Sequence, residues 1–301
     1  MITWPNSLIP AIADHRCVFV LGAGASAGAK APDGSSPPGW QALLRELAKA
    51  ITKPCDRTVA TSLIDEGKYL DCAQIVADSI RPPDLEMILR EQLQHPDFGK
   101  SEIHTIVSRL LPRVVVTTNF DELFESHMGS RRATAYNVCR YYDGHALNHI
   151  RSGARVLLKA HGCMSDPERI ILSRTQYFEA KRDFPSFFAT LDALFLVNPV
   201  LFIGCGMDDP DMQLLLENVN LSAKSSYCHY AVVQSERHPS LIRATQATLN
   251  VELLEYEQDH REVVQSLNAL EEKVSRFKAP STSYFSDAPA DFDSSPGTRD
   301  G

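Results

Sequence analysis

The chain has 301 residues, 44% of them hydrophobic, so it can bury the core of one large domain or two modest ones. Its formal net charge of −8 argues against direct nucleic-acid binding, which usually needs a concentrated basic face. No stretch approaches the roughly 20 consecutive apolar residues of a membrane span. The first residues, 1–13, lack the basic and apolar regions of a secretory signal. We therefore expect a cytoplasmic protein without membrane contact.

The seven cysteines are scattered along the chain, and no two of them form a C-x-x-C pair. This spacing argues against a zinc module and against a disulfide framework. We expect reduced, mostly core-packed thiols and no bound metal.

Short apolar runs alternate with helical patterns along most of the chain. The first run, Cys17–Leu21, ends in glycines and is typical of a strand buried on both faces. Apolar residues at 40, 43, 44 and 47 have the spacing of a helix face, and a helical rhythm continues over Leu63–Gln94. We predict a helical insertion over about residues 52–100, followed by a helix over Ser101–Leu110.

Further strands are predicted in the second half of the chain. Val114–Thr117 is the second predicted strand and Arg155–Ala160 the third. A helical segment over Thr175–Asn198, broken near Pro185, leads to a fourth strand over Val200–Gly204. Two more strands are expected at Tyr227–Val233 and Asn250–Leu254.

This alternation predicts an α/β fold with a Rossmann-like, mostly parallel sheet flanked by helices. We place the domain at residues 1–278. Residues 279–301 are rich in Ser, Asp and Pro and poor in apolar side chains, so we expect a disordered tail. The alternative is a partner-binding segment anchored by Tyr284, Phe285 and Phe292.

Four predicted strands end in glycine-rich or polar clusters, with the sequences GAGAS, TTNFD, HG and GCGMDD. Ligands of open α/β sheets bind beyond the carboxyl ends of the strands, so these loops should meet at one crevice. The candidate site residues are Gly22, Ala23, Gly24, Ser26, Thr118, Asn119, Asp121, His161, Gly204, Gly206 and Asp208.

Each cluster allows a structural and a functional interpretation. Glycines after a strand can form a tight turn, or they can let a pyrophosphate approach the backbone, with Ser26 adding a donor. Asn119 and Asp121 can cap a helix, or they can hold a ribose hydroxyl, a water or a carboxamide. His161 can be a packed histidine or a general base near neutral pH. The last cluster, GCGMDD, can form a turn followed by a helix cap, or it can contact a dinucleotide through Asp208.

In this order and spacing, GAGAS, TTNFD and HG resemble the sirtuin superfamily, whose members carry a GAG-x-S loop, a T-x-N-x-D loop and a histidine followed by glycine. The segment from about Val18 to Leu254 is similar to bacterial Sir2-like domains of antiphage defence systems. The resemblance implies that the crevice binds NAD, with Asn119 and His161 as the catalytic groups.

Three departures separate the chain from the sirtuin deacylases. No four-cysteine zinc module follows His161, Thr118 stands where those enzymes usually have Gln, and Pro32-Asp33 is followed by Gly34-Ser35 rather than Phe-Arg. These differences argue against acyl-lysine chemistry and favour water as the acceptor.

Cleavage of the nicotinamide–ribose bond needs no general acid, because the cationic pyridinium departs as neutral nicotinamide. We expect Asn119 to position the ribose and the water, His161 to act as general base, and Asp121 to orient the carboxamide. The sequence thus predicts an NAD hydrolase that forms nicotinamide and ADP-ribose, with NAD as substrate. Its expected role is that of a triggered effector that depletes NAD in antiphage defence.

Two other functions stay open at this point. One is an NAD-dependent protein deacylase or ADP-ribosyltransferase, and the other is a non-catalytic, NAD-binding regulatory subunit. Because an unrestrained NAD hydrolase would harm its own cell, we expect activation through a homo-oligomer, a partner defence protein, or both.

Overall fold

The computed structural model describes residues 1–94, 97–128, 135–206, 213, 216–217, 219–221, 228–235, 238–257 and 259–278. The predicted tail and the candidate residue Asp208 lie outside these described residues. Within them, no helix combines the length and the apolar character needed to cross a membrane.

Seven strands form one sheet. They are β1 (Val18–Leu21), β2 (Val114–Thr117), β3 (Asn137–Arg140), β4 (Val156–Lys159), β5 (Val200–Ile203), β6 (His229–Gln234) and β7 (Val251–Tyr256). Their order across the sheet is β3-β4-β2-β1-β5-β6-β7, and each neighbouring pair is parallel. The predicted α/β fold with a mostly parallel sheet is confirmed.

The four central strands, β1, β2, β4 and β5, are buried at every position. Their apolar runs cover both faces of the sheet, which is why continuous rather than alternating hydrophobicity marks them. The end of β4 departs from this rule, because Lys159 is a cation in a fully buried position.

Strand β3 was missed by the sequence analysis. Its sequence is Asn-Val-Cys-Arg, and only Cys139 among the four residues is fully buried. The strand lies at the edge of the sheet and pairs with β4 alone, Asn137 opposite Val156. An edge strand half exposed to solvent carries too weak an apolar pattern to be recognised locally.

Helices cover both faces and fill the connection between β1 and β2. They are α1 (Leu8–Ala13), α2 (Ala23–Ser26), α3 (Trp40–Lys49), α4 (Pro54–Asp65), α5 (Tyr69–Ser79), α6 (Pro82–Leu93), α7 (Glu102–Leu110), α8 (Leu123–Met128), α9 (Ala146–Arg151), α10 (Arg174–Asp183), α11 (Pro185–Val197), α12 (Pro239–Leu249) and α13 (His260–Lys278). The break predicted near Pro185 separates α10 from α11, because proline fits the first turn of a helix but not its interior.

Three apolar clusters hold the fold together. One lies between the sheet and α1, α7, α8 and α13, and a second lies on the opposite face beneath α9 to α12. The third joins α3 to α6 to Phe120 and Met164 in the loops after β2 and β4. These four helices are thereby packed directly against the loops that carry the candidate site.

Candidate functional site

The register of the sheet aligns the candidate loops. Leu21 pairs with Thr117, and Thr117 pairs with Lys159. Asn119 lies two positions after Thr117 and His161 lies two positions after Lys159, on neighbouring strands about 4.8 Å apart. Because Leu21 also pairs with Ile203, Gly204 leaves the sheet beside Gly22. The loops that were predicted to converge therefore leave four adjacent strands at the same edge.

The glycines of the first and last clusters contact each other. The Gly24 N–H donates to the Gly204 carbonyl oxygen at 3.0 Å. A Cβ added to Gly24 would lie 2.8 Å from the Gly204 Cα, and one added to Gly22 would lie 2.5 Å from the Gly204 oxygen. Gly204 itself has a φ of +68°, a backbone conformation that favours glycine. Packing between the two loops thus explains these three glycines without a ligand.

Gly206 is different, because it is exposed and a Cβ added there would meet nothing within 4 Å. Packing within the described residues gives no reason for glycine at this position.

The side chain of Asn119 is fixed by the loop after β1. Its Nδ2 donates to the Gly22 carbonyl oxygen at 3.0 Å and to Ser26 Oγ at 3.1 Å, while its backbone N–H donates to Thr117 Oγ1 at 3.0 Å. A carbonyl oxygen can only accept, so the amide orientation follows from the contact with Gly22. Both amide hydrogens are used within the protein, and Oδ1 is the atom that Asn119 can offer to a ligand.

Ser26 and Asp121 hold the Asn119 side chain in place through successive hydrogen bonds. Ser26 Oγ donates to Asp121 Oδ2 at 3.0 Å, and Asp121 Oδ1 accepts from the Leu123 N–H at 3.1 Å at the start of α8. Only 1% of Ser26 and 7% of Asp121 is exposed. Asp121 thus satisfies a backbone N–H at the start of α8, in keeping with its structural interpretation. The burial of Ser26 and Asp121 limits their direct contact with a ligand.

His161 is half buried and packs edge-on against Tyr177 of α10, with ring centroids 6.0 Å apart. Its backbone carbonyl accepts from the Ile171 N–H at 3.0 Å. The next residue, Gly162, has a φ of +88°, and a Cβ there would lie 2.5 Å from the Arg169 carbonyl oxygen. The glycine of the HG pair is therefore required by the turn that brings Ile170 and Ile171 beneath the histidine.

Sequence reasoning missed a buried ion pair next to the site. Lys159 Nζ donates to Glu125 Oε1 at 2.7 Å and to the backbone carbonyl of Asp121. Burial acts to lower the pKa of Lys159, but attraction to Glu125, with smaller contributions from other acidic groups, outweighs it and raises the pKa. The ammonium therefore persists at neutral pH. A lysine ending the apolar run Val-Leu-Leu-Lys was the available signal.

Glu122, Glu125 and Cys163 bring potential metal-ligating atoms within 4.8 Å of one another in the described part of the chain. Protein groups already contact them, because Lys159 bonds Glu125 and Cys163 Sγ donates to Glu122 Oε1 at 3.5 Å. The Lys159 ammonium thus already places a positive charge beside these acidic side chains. That the protein needs no metal stays a prediction.

A cavity of about 500 Å³ lies away from these loops, at the amino edge of the sheet. Its walls include Arg16 and Pro199, which precede β1 and β5, together with His229 and Tyr230 of β6. None of the candidate site residues lines this cavity.

The parallel sheet with polar loops at its carboxyl edge defines a Rossmann-like α/β domain, a class whose ligands bind at that edge. Comparison with known families makes the class specific, because residues 113–254 match the model of the SIR2-like domain. Residues 113–254 are thus similar to a SIR2-like domain, which confirms the resemblance drawn from the loops of the chain.

Two bacterial proteins are similar over a longer stretch. The "NAD(+) hydrolase ThsA" of Acinetobacter baumannii is 22% identical over 213 residues, which cover 69% of this chain and 42% of that protein. The "Defense-associated sirtuin 2" of Bacillus subtilis is 23% identical over 227 residues, covering 74% of this chain and 21% of that protein. The chain therefore matches less than half the length of either relative.

Proposed function

We propose that this protein hydrolyses the nicotinamide–ribose bond of NAD, with Asn119 and His161 as its catalytic residues. The observation that carries the proposal is the fixed side chain of Asn119, whose Oδ1 remains for a ligand. Asn119 and His161 occupy matching positions on neighbouring strands, each two residues after the paired Thr117 and Lys159. The name of the A. baumannii relative, an NAD hydrolase, supports the same chemistry.

In the proposed reaction, Asn119 Oδ1 accepts a hydrogen bond from the attacking water or from a ribose hydroxyl. Neutral His161 takes the proton of the water, directly or through that hydroxyl, as the water oxygen bonds to the anomeric carbon of the ribose. The electron pair of the breaking C–N bond passes to the pyridinium ring, and nicotinamide leaves uncharged. The products are nicotinamide and ADP-ribose.

The remaining candidates are assigned to binding. The crossing of Gly22, Ala23 and Gly24 with Gly204 would form the floor beneath the dinucleotide, and exposed Gly206 would let it lie close to the backbone. Thr118 and Asp208 stay predicted contacts, the latter to a ribose hydroxyl. For Ser26 and Asp121 we propose an indirect role, because their hydrogen bonds hold Asn119 in place.

We further propose that NAD depletion by this protein serves antiphage defence, in keeping with the name of the B. subtilis relative. Activity would be released by homo-oligomerisation or by a partner defence protein. A concentration series, with and without a candidate partner, tests this directly, and turnover independent of both would contradict it.

The reaction is tested by incubating the purified protein with NAD in heavy-oxygen water and analysing the products by mass spectrometry. Equal amounts of nicotinamide and heavy-oxygen ADP-ribose are expected. If added acyl-lysine peptide instead gave O-acyl-ADP-ribose, the protein would be a deacylase. Tight NAD binding with no nicotinamide release, even with a partner present, would identify a regulatory subunit.

A further inference from the structure

We propose that Lys159 is a positioning residue, whose buried ammonium ties the loop of Asn119 to the strand end that carries His161. The inference rests on the proposed function, because it assigns a part in the same reaction to a residue that does not touch substrate.

Lys159 joins the two catalytic loops through its backbone and its side chain. Its backbone pairs with Thr117 at the last position of β4, two residues before His161. Its Nζ donates to the Asp121 carbonyl, two residues after Asn119, and to Glu125 Oε1 at 2.7 Å. One side chain therefore bridges the strand end of His161 and the loop of Asn119.

A continuous chain of hydrogen bonds leads from the ammonium to the amide of Asn119. Lys159 bonds the backbone of Asp121, the Asp121 carboxylate accepts from Ser26 at 3.0 Å, and Ser26 Oγ accepts from Asn119 at 3.1 Å. Every intermediate residue is buried, so water does not compete for these bonds. A displacement of Asp121 is transmitted to the side chain that we expect to hold the substrate.

Stability alone does not account for a charge at this position. The side chain of Lys159 is fully buried and that of Glu125 is 14% exposed. Replacing a buried ion pair by apolar residues of similar volume is often neutral or stabilising, whereas removing one partner is strongly destabilising. An apolar pair could fill the same space but could not donate to the Asp121 carbonyl. The contribution of Lys159 is therefore to fix the position of the loop that carries Asn119 and Asp121.

This difference between the pair and its single members provides the test. The variants are Lys159→Met, the double variant Lys159→Met with Glu125→Leu, and Glu125→Gln, with surface Lys49→Met as matched control. Lys49 pairs with Glu46 at 2.7 Å on an exposed helix face and lies outside the site. For each variant, kcat, KM for NAD and resistance to denaturant are measured.

Lys159→Met should lose both resistance to denaturant and kcat. The double variant should regain resistance while its kcat stays lower by on the order of 10–100-fold, with KM little changed, because misplaced groups slow the reaction more than binding. A double variant that is stable and turns over at the wild-type rate would overturn the proposal. If it does not fold, Glu125→Gln decides, since it keeps an acceptor but loses the charge that holds the ammonium. Its kcat should fall several-fold, and an unchanged kcat would count against the proposal.

A second readout is independent of NAD chemistry. Amide hydrogen exchange over residues 119–123 should be faster in the double variant by about tenfold, while exchange in β1 stays unchanged. Unaltered protection of residues 119–123 would refute the link even if NAD is hydrolysed. Conversely, if the variant exchanged faster but the wild type hydrolysed no NAD even at high concentration and with a candidate partner, the proposed function alone would be refuted.

Discussion

The two edges of the sheet differ in what they present to a ligand. At the carboxyl edge, hydrogen bonds among Asn119, Ser26 and Asp121 join the loops after β1 and β2, and His161 follows the neighbouring strand β4. At the amino edge, the chain leaves a cavity of about 500 Å³, lined by Ser7, His229 and Tyr230 among other residues. This cavity and the candidate site residues are thus at opposite ends of the same strands.

The polar groups at the amino edge are satisfied within the protein or weakened by burial. The hydroxyls of Ser7 and Tyr230 bond each other at 2.7 Å, and His229 Nδ1 accepts from the Val200 N–H at 3.2 Å. Burial lowers the pKa of His229 from 6.5 to about 4, so the ring is neutral and a weak base at neutral pH. The polar groups of the amino edge serve the fold, whereas Asn119 keeps an oxygen for a ligand.

The largest effect should come from the proposed catalytic pair, Asn119 and His161. Asn119→Ala or His161→Ala should reduce the rate of nicotinamide release by on the order of 10²–10⁴, because each removes a group that acts on the attacking water. The measurement is a product assay on variants whose circular dichroism matches that of the wild type. Ser7→Ala, at the other edge, is the control and should leave the rate unchanged. A folded Asn119→Ala, His161→Ala double variant with wild-type turnover would disprove the assignment.

Substitutions in the glycine crossing, where Gly22 and Gly24 contact Gly204, should lower the free energy of unfolding more than they change the reaction rate. Gly204→Ala introduces a Cβ against the backbone of Gly24 and Ala25 at a positive φ, so the free energy of unfolding should fall by roughly 3 kcal/mol. Chemical denaturation measures this loss. Gly206→Ala has open space around the new Cβ and should change stability by less than about 0.5 kcal/mol. Equal destabilisation by the two substitutions would show that the crossing is not tightly packed.

Burial of His229 at the amino edge should make the free energy of unfolding depend on pH. The folded pKa of His229 lies below its unfolded value, so between 6.5 and about 4 the unfolded chain binds more protons. Stability should therefore fall as the pH decreases through this window, by up to about 3 kcal/mol. Denaturation at a series of pH values in wild type and His229→Asn tests this, and the variant should lose most of that contribution. Identical pH profiles would contradict burial of a neutral ring.

The smallest effect concerns binding at the carboxyl edge. If Gly206 lies against the dinucleotide, Gly206→Ala should raise KM for NAD by about tenfold, roughly 1.4 kcal/mol of binding, without a comparable fall in kcat. Initial-rate kinetics over a range of NAD concentrations measure both constants. An unchanged KM would remove Gly206 from the proposed site.

Local sequence was enough to locate most of the scaffold. The predicted strands Cys17–Leu21, Val114–Thr117 and Val200–Gly204 match observed strands to within one residue, because residues buried on both faces of a parallel sheet must nearly all be apolar. Proline at 185 separated two helices for an equally local reason, its missing N–H. The order of the loop motifs also pointed to the SIR2-like domain that comparison confirms.

Only tertiary structure decided how the site residues are held. Ser26 and Asp121 are 95 positions apart in the chain, and Lys159 bonds a carboxylate 34 positions before it. Edge strand β3 likewise depends on a partner, β4, more than on its own residues. Apolar patterning is a property of neighbouring residues, whereas a hydrogen-bond partner is set by sheet register and loop contacts. The strand ends were therefore readable from the sequence, while the orientation of Asn119 and the role of Lys159 were not.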